Sequence, residues 1–137
     1  MVDAKILVVD DDPDIMEIIS FSLEREGYQI IRASNGWEAL GAVRATEPDL
    51  VILDVILPRE NGYRVSRFIK DDIKKGLYGK DISIILMTGR PMDDSEKMQK
   101  VVAFSQASAI MYKPFGIEEL LKKVDELLRC LKEKAHG

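Results

Sequence analysis

Residues 6–13 read Ile6-Leu7-Val8-Val9-Asp10-Asp11-Asp12-Pro13, and this junction decides the fold class. After Lys5 the chain is apolar up to Val9, a run too short for a helix and without the alternation of a half-exposed strand. It suits a strand buried on both faces. Asp12 then stands before Pro13, an N-cap residue followed by proline at the first helical position. A doubly buried strand that turns directly into a helix is the start of a β-α unit in a parallel sheet.

The same unit recurs along the chain. Ile15, Ile18, Ile19, Ser22 and Leu23 follow at helical spacing and Gly27 supplies the stop. Gln29 to Ala33 is a second strand, and Trp37 to Ala45 a helix entered from Asn35-Gly36. Leu50 to Leu53 is a third apolar strand, and it too ends in an aspartate, Asp54. Pro58 to Gly62 is a loop; Tyr63 to about Lys74 is a helix with Val65, Phe68 and Ile69 inward, and Gly76 to Lys80 is a solvated basic connection. Ile82 to Met87 is a fourth strand ending at Thr88, and Asp93 or Ser95 opens a fourth helix with Met98, Val101, Val102 and Ser105 on one side. Ala109 to Tyr112 is a fifth strand, and Gly116 to about Lys134 a last helix with Leu120, Leu121, Val124, Leu127, Leu128 and Leu131 as its stripe. Five β-α units in succession predict an α/β sandwich, a parallel sheet with helices on both faces.

Composition sets outer limits. The chain has 137 residues, 46% hydrophobic and 32% charged, which is the composition of a globular protein and of one domain. The expected domain spans residues 1–137, with a core over about 4–131 and a C-terminal tail at 132–137. The lone cysteine, Cys130, rules out an internal disulfide framework and a cysteine zinc cage, and reads as a small apolar group on the last helix. No stretch approaches the roughly 18 apolar residues of a membrane span, and the acids at Asp10 come too early for a signal peptide. The expectation is a cytoplasmic protein without membrane insertion. A net charge of −4 does not suggest a nucleic-acid surface.

In an open parallel sheet, ligands bind outside the carboxyl ends of the strands. The residues there are Asp10 and Asp11, then Asp54, Thr88 and Lys113. Two carboxylates about 4 Å apart repel by roughly 4 kcal/mol at an effective dielectric near 20, so three require neutralisation. A bound cation, Lys113 or proton uptake would supply it. A hard divalent ion with oxygen ligands is the natural solution, and Mg²⁺ takes one or two carboxylates and then a phosphate oxygen. Asp54 is then a candidate nucleophile toward a phosphoryl group, with Thr88 and Lys113 placed to contact that group.

These residues together resemble a response-regulator receiver domain, the phospho-accepting module of two-component signalling, of the chemotaxis-receiver kind. The likeness is carried by the opening stretch, by Asp49-Leu50-Val51-Ile52-Leu53-Asp54, by Pro58 and Gly62, by Met87-Thr88-Gly89 and by Lys113-Pro114-Phe115. Ala33-Ser34-Asn35-Gly36-Trp37-Glu38-Ala39-Leu40 also resembles the start of the family's second helix. The resemblance implies the flavodoxin-like (βα)5 fold with strand order 2-1-3-4-5. It implies that Asp54 accepts a phosphoryl group from a histidine kinase or phosphotransfer protein. It implies Mg²⁺ on Asp11 and Asp54, with Asp10 acting through water and the Ile56 backbone carbonyl as a further ligand. Thr88 and Lys113 would contact the phosphoryl group, and the Lys113-Pro114 bond would be cis. Such a domain modifies itself and is not a turnover enzyme; its output is a changed contact with a downstream protein through the fourth helix, fifth strand and fifth helix.

The sequence also departs from the family. The aromatic usual three residues before the lysine is Ile110 here, and Tyr112 stands next to Lys113 instead. Ser105-Gln106-Ala107-Ser108-Ala109 replaces the usual glycine-alanine-aspartate run. Ile56 and Arg90 flank the acceptor, and an apolar Ile56 predicts slow loss of the phosphoryl group. Competing assignments are a receiver fragment of a larger regulator or hybrid kinase, a receiver-like binding module without phosphorylation, and an aspartyl-phosphate phosphatase. The last lacks the second acid two residues after the nucleophile, where Ile56 stands. A flavin site is disfavoured, because acids follow the first strand where a phosphate loop would offer backbone N–H groups.

Overall fold

The computed structural model describes residues 4–89 and 95–136. The elements, in order, are β1 (Lys5–Val9), α1 (Pro13–Arg25), β2 (Gln29–Ala33), α2 (Gly36–Thr46), β3 (Leu50–Asp54), β4 (Ile56–Leu57), β5 (Glu60–Asn61), α3 (Gly62–Lys74), β6 (Ser83–Thr88), α4 (Ser95–Ser105), β7 (Ala109–Tyr112) and α5 (Ile117–His136). Five strands form one parallel sheet in the order β2-β1-β3-β6-β7. Counted among the sheet strands alone, this is the flavodoxin-like order that the resemblance implies. β4 and β5 form a separate antiparallel ribbon, pairing Ile56 with Asn61 and Leu57 with Glu60. Pro58 and Arg59 make its turn, Arg59 with φ 61°.

The sheet divides the apolar interior in two. Leu7, Val9, Val51, Leu53, Ile84 and Leu86 face α2, α3 and α4. Ile6, Val8, Leu50, Ile52, Ile85, Met87 and Met111 face α1 and α5. The continuous apolar runs of β1, β3 and β6 follow from this, since successive side chains point to opposite and equally buried faces.

Several inward assignments do not hold. In α1 the buried stripe is Met16, Ile19, Ser20 and Leu23, and Ile18 is exposed. Phe68 of α3 is exposed as well, the inward positions being Tyr63, Val65, Ser66 and Ile69. Trp37 is 82% exposed, and Cys130 faces solvent. The basic connection after α3 is not a merely solvated loop, because Tyr78 within it is buried against the α2–α3 side of the core and Lys80 pairs with Asp49 at 2.8 Å. Where a glycine is usual after α4, Gln106 takes the left-handed conformation, φ 57°. Ser108 then stitches the start of β7 to β6: its N–H donates to the Ile84 carbonyl at 2.8 Å and its hydroxyl accepts the Ile84 N–H at 3.0 Å.

Candidate functional site

Strand alternation delivers the site. On β1, Ile6 and Val8 pack toward α1 and α5, and the next residue of that phase is Asp10. On β3, Leu50 and Ile52 lead in the same way to Asp54; after β7, Ala109 and Met111 lead to Lys113. Two carboxylates from the adjacent strands β1 and β3, and an ammonium from the end of β7 beyond β6, therefore emerge over one face at the carboxyl edge of the sheet. Thr88 ends β6 in line with Ile84 and Leu86, on the other phase. It is one residue beyond Met87, the register partner of Asp54, and its carbonyl accepts the Lys113 N–H at 2.7 Å.

The carboxylates are recessed, Asp10 being 2% and Asp54 6% exposed, while Asp11 lies open at the rim. Lys113 Nζ is 3.1 Å from Asp54 Oδ2 and 3.6 Å from Asp10 Oδ2. The other oxygen of each acid is held by backbone. The Asp12 N–H donates to Asp10 Oδ1 at 2.9 Å, and the Ile56 N–H donates to Asp54 Oδ1 at 3.1 Å. Burial pushes the Asp10 carboxyl above its usual range; the Asp12 N–H opposes this, and the Asp54 charge adds to it. Asp12 caps α1, its side chain accepting from Asp14 N–H at 2.9 Å and Ile15 N–H at 3.4 Å, which leaves it out of the acid cluster as expected.

Asp10, Asp11 and Asp54 each offer one oxygen, all within 4.8 Å of one another. Asp10 Oδ2 is buried and accepts no hydrogen bond, so a buried lone pair faces the cluster with the Lys113 ammonium 3.6 Å away. An all-oxygen donor set with an unsatisfied buried carboxylate oxygen fits a hard divalent cation. A cavity of about 370 Å³ adjoins the cluster, lined by Asp10, Asp11, Pro13, Met16 and the end of β2.

All five side chains picked from the sequence thus lie at one edge. Four of them form one cluster, and Thr88 joins it through the Lys113 backbone. Arg90 and Asp93 lie outside the described residues. The Lys113-Pro114 bond is cis. The sequence reading missed the ribbon and Asn61, whose side chain caps α3 by accepting the Tyr63 N–H at 2.8 Å. The Asn61-Gly62 pair ahead of an amphipathic stretch was the available signal.

Comparison with known proteins decides the family: residues 6–125 match the response regulator receiver domain. The chain belongs to that family. As a receiver domain it is a module of two-component signalling rather than a turnover enzyme. It is 36% identical over 126 residues to the alkaline phosphatase synthesis transcriptional regulatory protein PhoP of Bacillus subtilis, covering 91% of this chain and 48% of that protein. It is 38% identical over 127 residues to the response regulator MprA of Mycolicibacterium vanbaalenii, covering 91% of this chain and 50% of that one. The receiver thus spans about half the length of the curated relatives it matches. A CheY-like response regulator receiver domain protein of Methanospirillum hungatei superposes with TM-score 0.83 at 25% identity, covering 97% of this chain and 99% of that one. Among the described residues, no helix of this receiver is long and apolar enough to cross a membrane.

Proposed function

We propose that this chain is a single receiver domain over residues 1–137 in which Asp54 accepts a phosphoryl group from a histidine kinase or phosphotransfer protein, in a Mg²⁺-dependent reaction, and so alters binding to a downstream protein. The observation that carries the proposal is the recessed Asp54 carboxylate, held by Lys113 at 3.1 Å and by the Ile56 N–H at 3.1 Å beside two further acids. An Asp54 oxygen attacks phosphorus, the O–P bond forms, and the P–N bond of the donor phosphohistidine breaks with its electron pair returning to the imidazole. Asp54 thereby exchanges a carboxylate charge for a phosphoryl dianion, and the Lys113 ammonium is placed to pair with that dianion. The Thr88 hydroxyl supplies a hydrogen bond to a phosphoryl oxygen.

Asp10, Asp11, Asp54 and the Ile56 carbonyl would hold the cation. Bound Mg²⁺ would screen Asp54 from the incoming anion and neutralise charge on the transferred group. The two backbone N–H donors, from Asp12 and Ile56, fix the carboxylate rotamers for both tasks. Output through α4, β7 and α5 is supported by exposed Tyr112 on β7. Ile110 packs instead against the core beneath α4. We place the protein in the cytoplasm, facing neither nucleic acid nor membrane through this domain.

The test is phosphotransfer from an autophosphorylated histidine-kinase transmitter domain. Label should pass to the wild type and not to Asp54→Asn. Label on both, or on neither across a broad transmitter panel, would refute the assignment.

A further inference from the structure

Gly62 opens α3 with its Cα pressed onto the acceptor strand. A Cβ there would overlap the Asp54 carbonyl oxygen, lie 2.6 Å from Val55 Cα and 3.1 Å from the Asp54 carbonyl carbon. These are backbone atoms, which do not swing aside as a side-chain end does. The Gly62 N–H donates to the Val55 carbonyl at 2.8 Å, on the residue directly after the acceptor. Just beyond, Ile56 pairs with Asn61 in the ribbon, and the Ile56 N–H holds Asp54 Oδ1 at 3.1 Å. Asn61 in turn caps α3 through the Tyr63 N–H at 2.8 Å. Residues 54–63 therefore form a closed loop whose two ends touch at Gly62.

We infer that Gly62 is a positioning residue for the acceptor site. By letting the first turn of α3 rest on the Asp54-Val55 peptide, it sets where the Asp54 carboxylate and the Ile56 backbone stand relative to Asp10 and Asp11. The inference rests on the proposed cation site. Its consequence is selective. Mg²⁺ demands near-ideal octahedral geometry, whereas Ca²⁺ tolerates irregular oxygen cages. A shift of the loop by a few tenths of an ångström should weaken Mg²⁺ far more than Ca²⁺. A general loss of stability or charge would weaken both alike.

The experiment is calorimetric titration of Mg²⁺ and of Ca²⁺ into wild type, Gly62→Ala, Asn61→Ala and Val124→Ala, each first shown by thermal melting to be folded. Val124 is buried between α5 and the sheet and serves as a destabilised control. Gly62→Ala should lose about tenfold or more in Mg²⁺ affinity, as supporting residues of metal sites do, and about threefold or less in Ca²⁺ affinity. Asn61→Ala, which keeps the glycine but loosens the cap, should show the same selectivity in weaker form, and it decides the matter if Gly62→Ala does not fold. Val124→Ala should bind both ions as wild type does. Unchanged Mg²⁺ affinity in the folded loop variants, or equal losses for the two ions, would overturn the inference. Failure of the wild type itself to bind Mg²⁺ would overturn the cation site and this inference together.

Discussion

Lys113 Nζ lies 3.1 Å from Asp54 Oδ2, a contact between residues 59 positions apart that joins the third and fifth strands of the sheet across its carboxyl edge. The ammonium thus sits beside the carboxylate proposed as the phosphoryl acceptor. In the resting state it acts as a counter-charge for two buried acids, since Asp10 Oδ2 is also within 3.6 Å.

Lys113→Met should therefore divide two roles. Without the competing cation, Mg²⁺ should bind about threefold more tightly or better by calorimetry. Without Mg²⁺, the variant should be about 1–3 kcal/mol less stable in urea, less than for a fully buried pair because the lysine keeps some exposure. Weaker Mg²⁺ binding would contradict this division.

Asp10 predicts a pH dependence. Burial raises its native pKa above the ordinary 3.8, so the native state holds the proton more tightly than the unfolded chain. Stability from this group is present below pH 3.8 and is lost as pH rises through the raised native value. Asp10→Asn escapes that loss and can still accept from the Asp12 N–H. Without divalent cation, the variant should melt like wild type at low pH and several degrees higher at neutral pH. Added Mg²⁺ should raise the wild-type melting temperature and leave the variant nearly unmoved. A variant less stable than wild type at neutral pH would contradict the strain assigned to Asp10.

Gln106, at φ 57°, occupies a left-handed position at the end of α4 that favours glycine. Gln106→Gly should stabilise the protein by about 0.5–1 kcal/mol in a urea titration, relief of strain outweighing the added freedom of the unfolded chain. No gain would mean that its side chain compensates locally.

Ile56 projects from the ribbon two residues after Asp54, 74% exposed, and presents no polar group to orient a water. Ile56→Asn should shorten the lifetime of the phosphorylated protein several-fold in a decay assay, since an amide there could hold an attacking water. An unchanged lifetime would remove Ile56 from that role.

These outcomes depend on features of unequal legibility. The sheet and Asp10, Asp54 and Lys113 were readable because one rule governs them: strand alternation, with ligands at the carboxyl ends. The ribbon was not, since strands of two residues have no period to detect. Ile18 and Phe68 were misjudged because an apolar residue at helical spacing is free to point outward when a neighbour fills the core position, as Met16 and Val65 do. The close approach at Gly62 involves Asp54 and Val55, seven and eight positions earlier, and only the folded chain brings them together.

The central claim is that Asp54 is a Mg²⁺-dependent phosphoryl acceptor. The most direct measurement is intact mass after incubation with acetyl phosphate, with and without Mg²⁺, beside Asp54→Ala. The account predicts one added phosphoryl group on the wild type, requiring Mg²⁺ and missing from the variant. An adduct that persists in Asp54→Ala, or that forms equally without Mg²⁺, would contradict it.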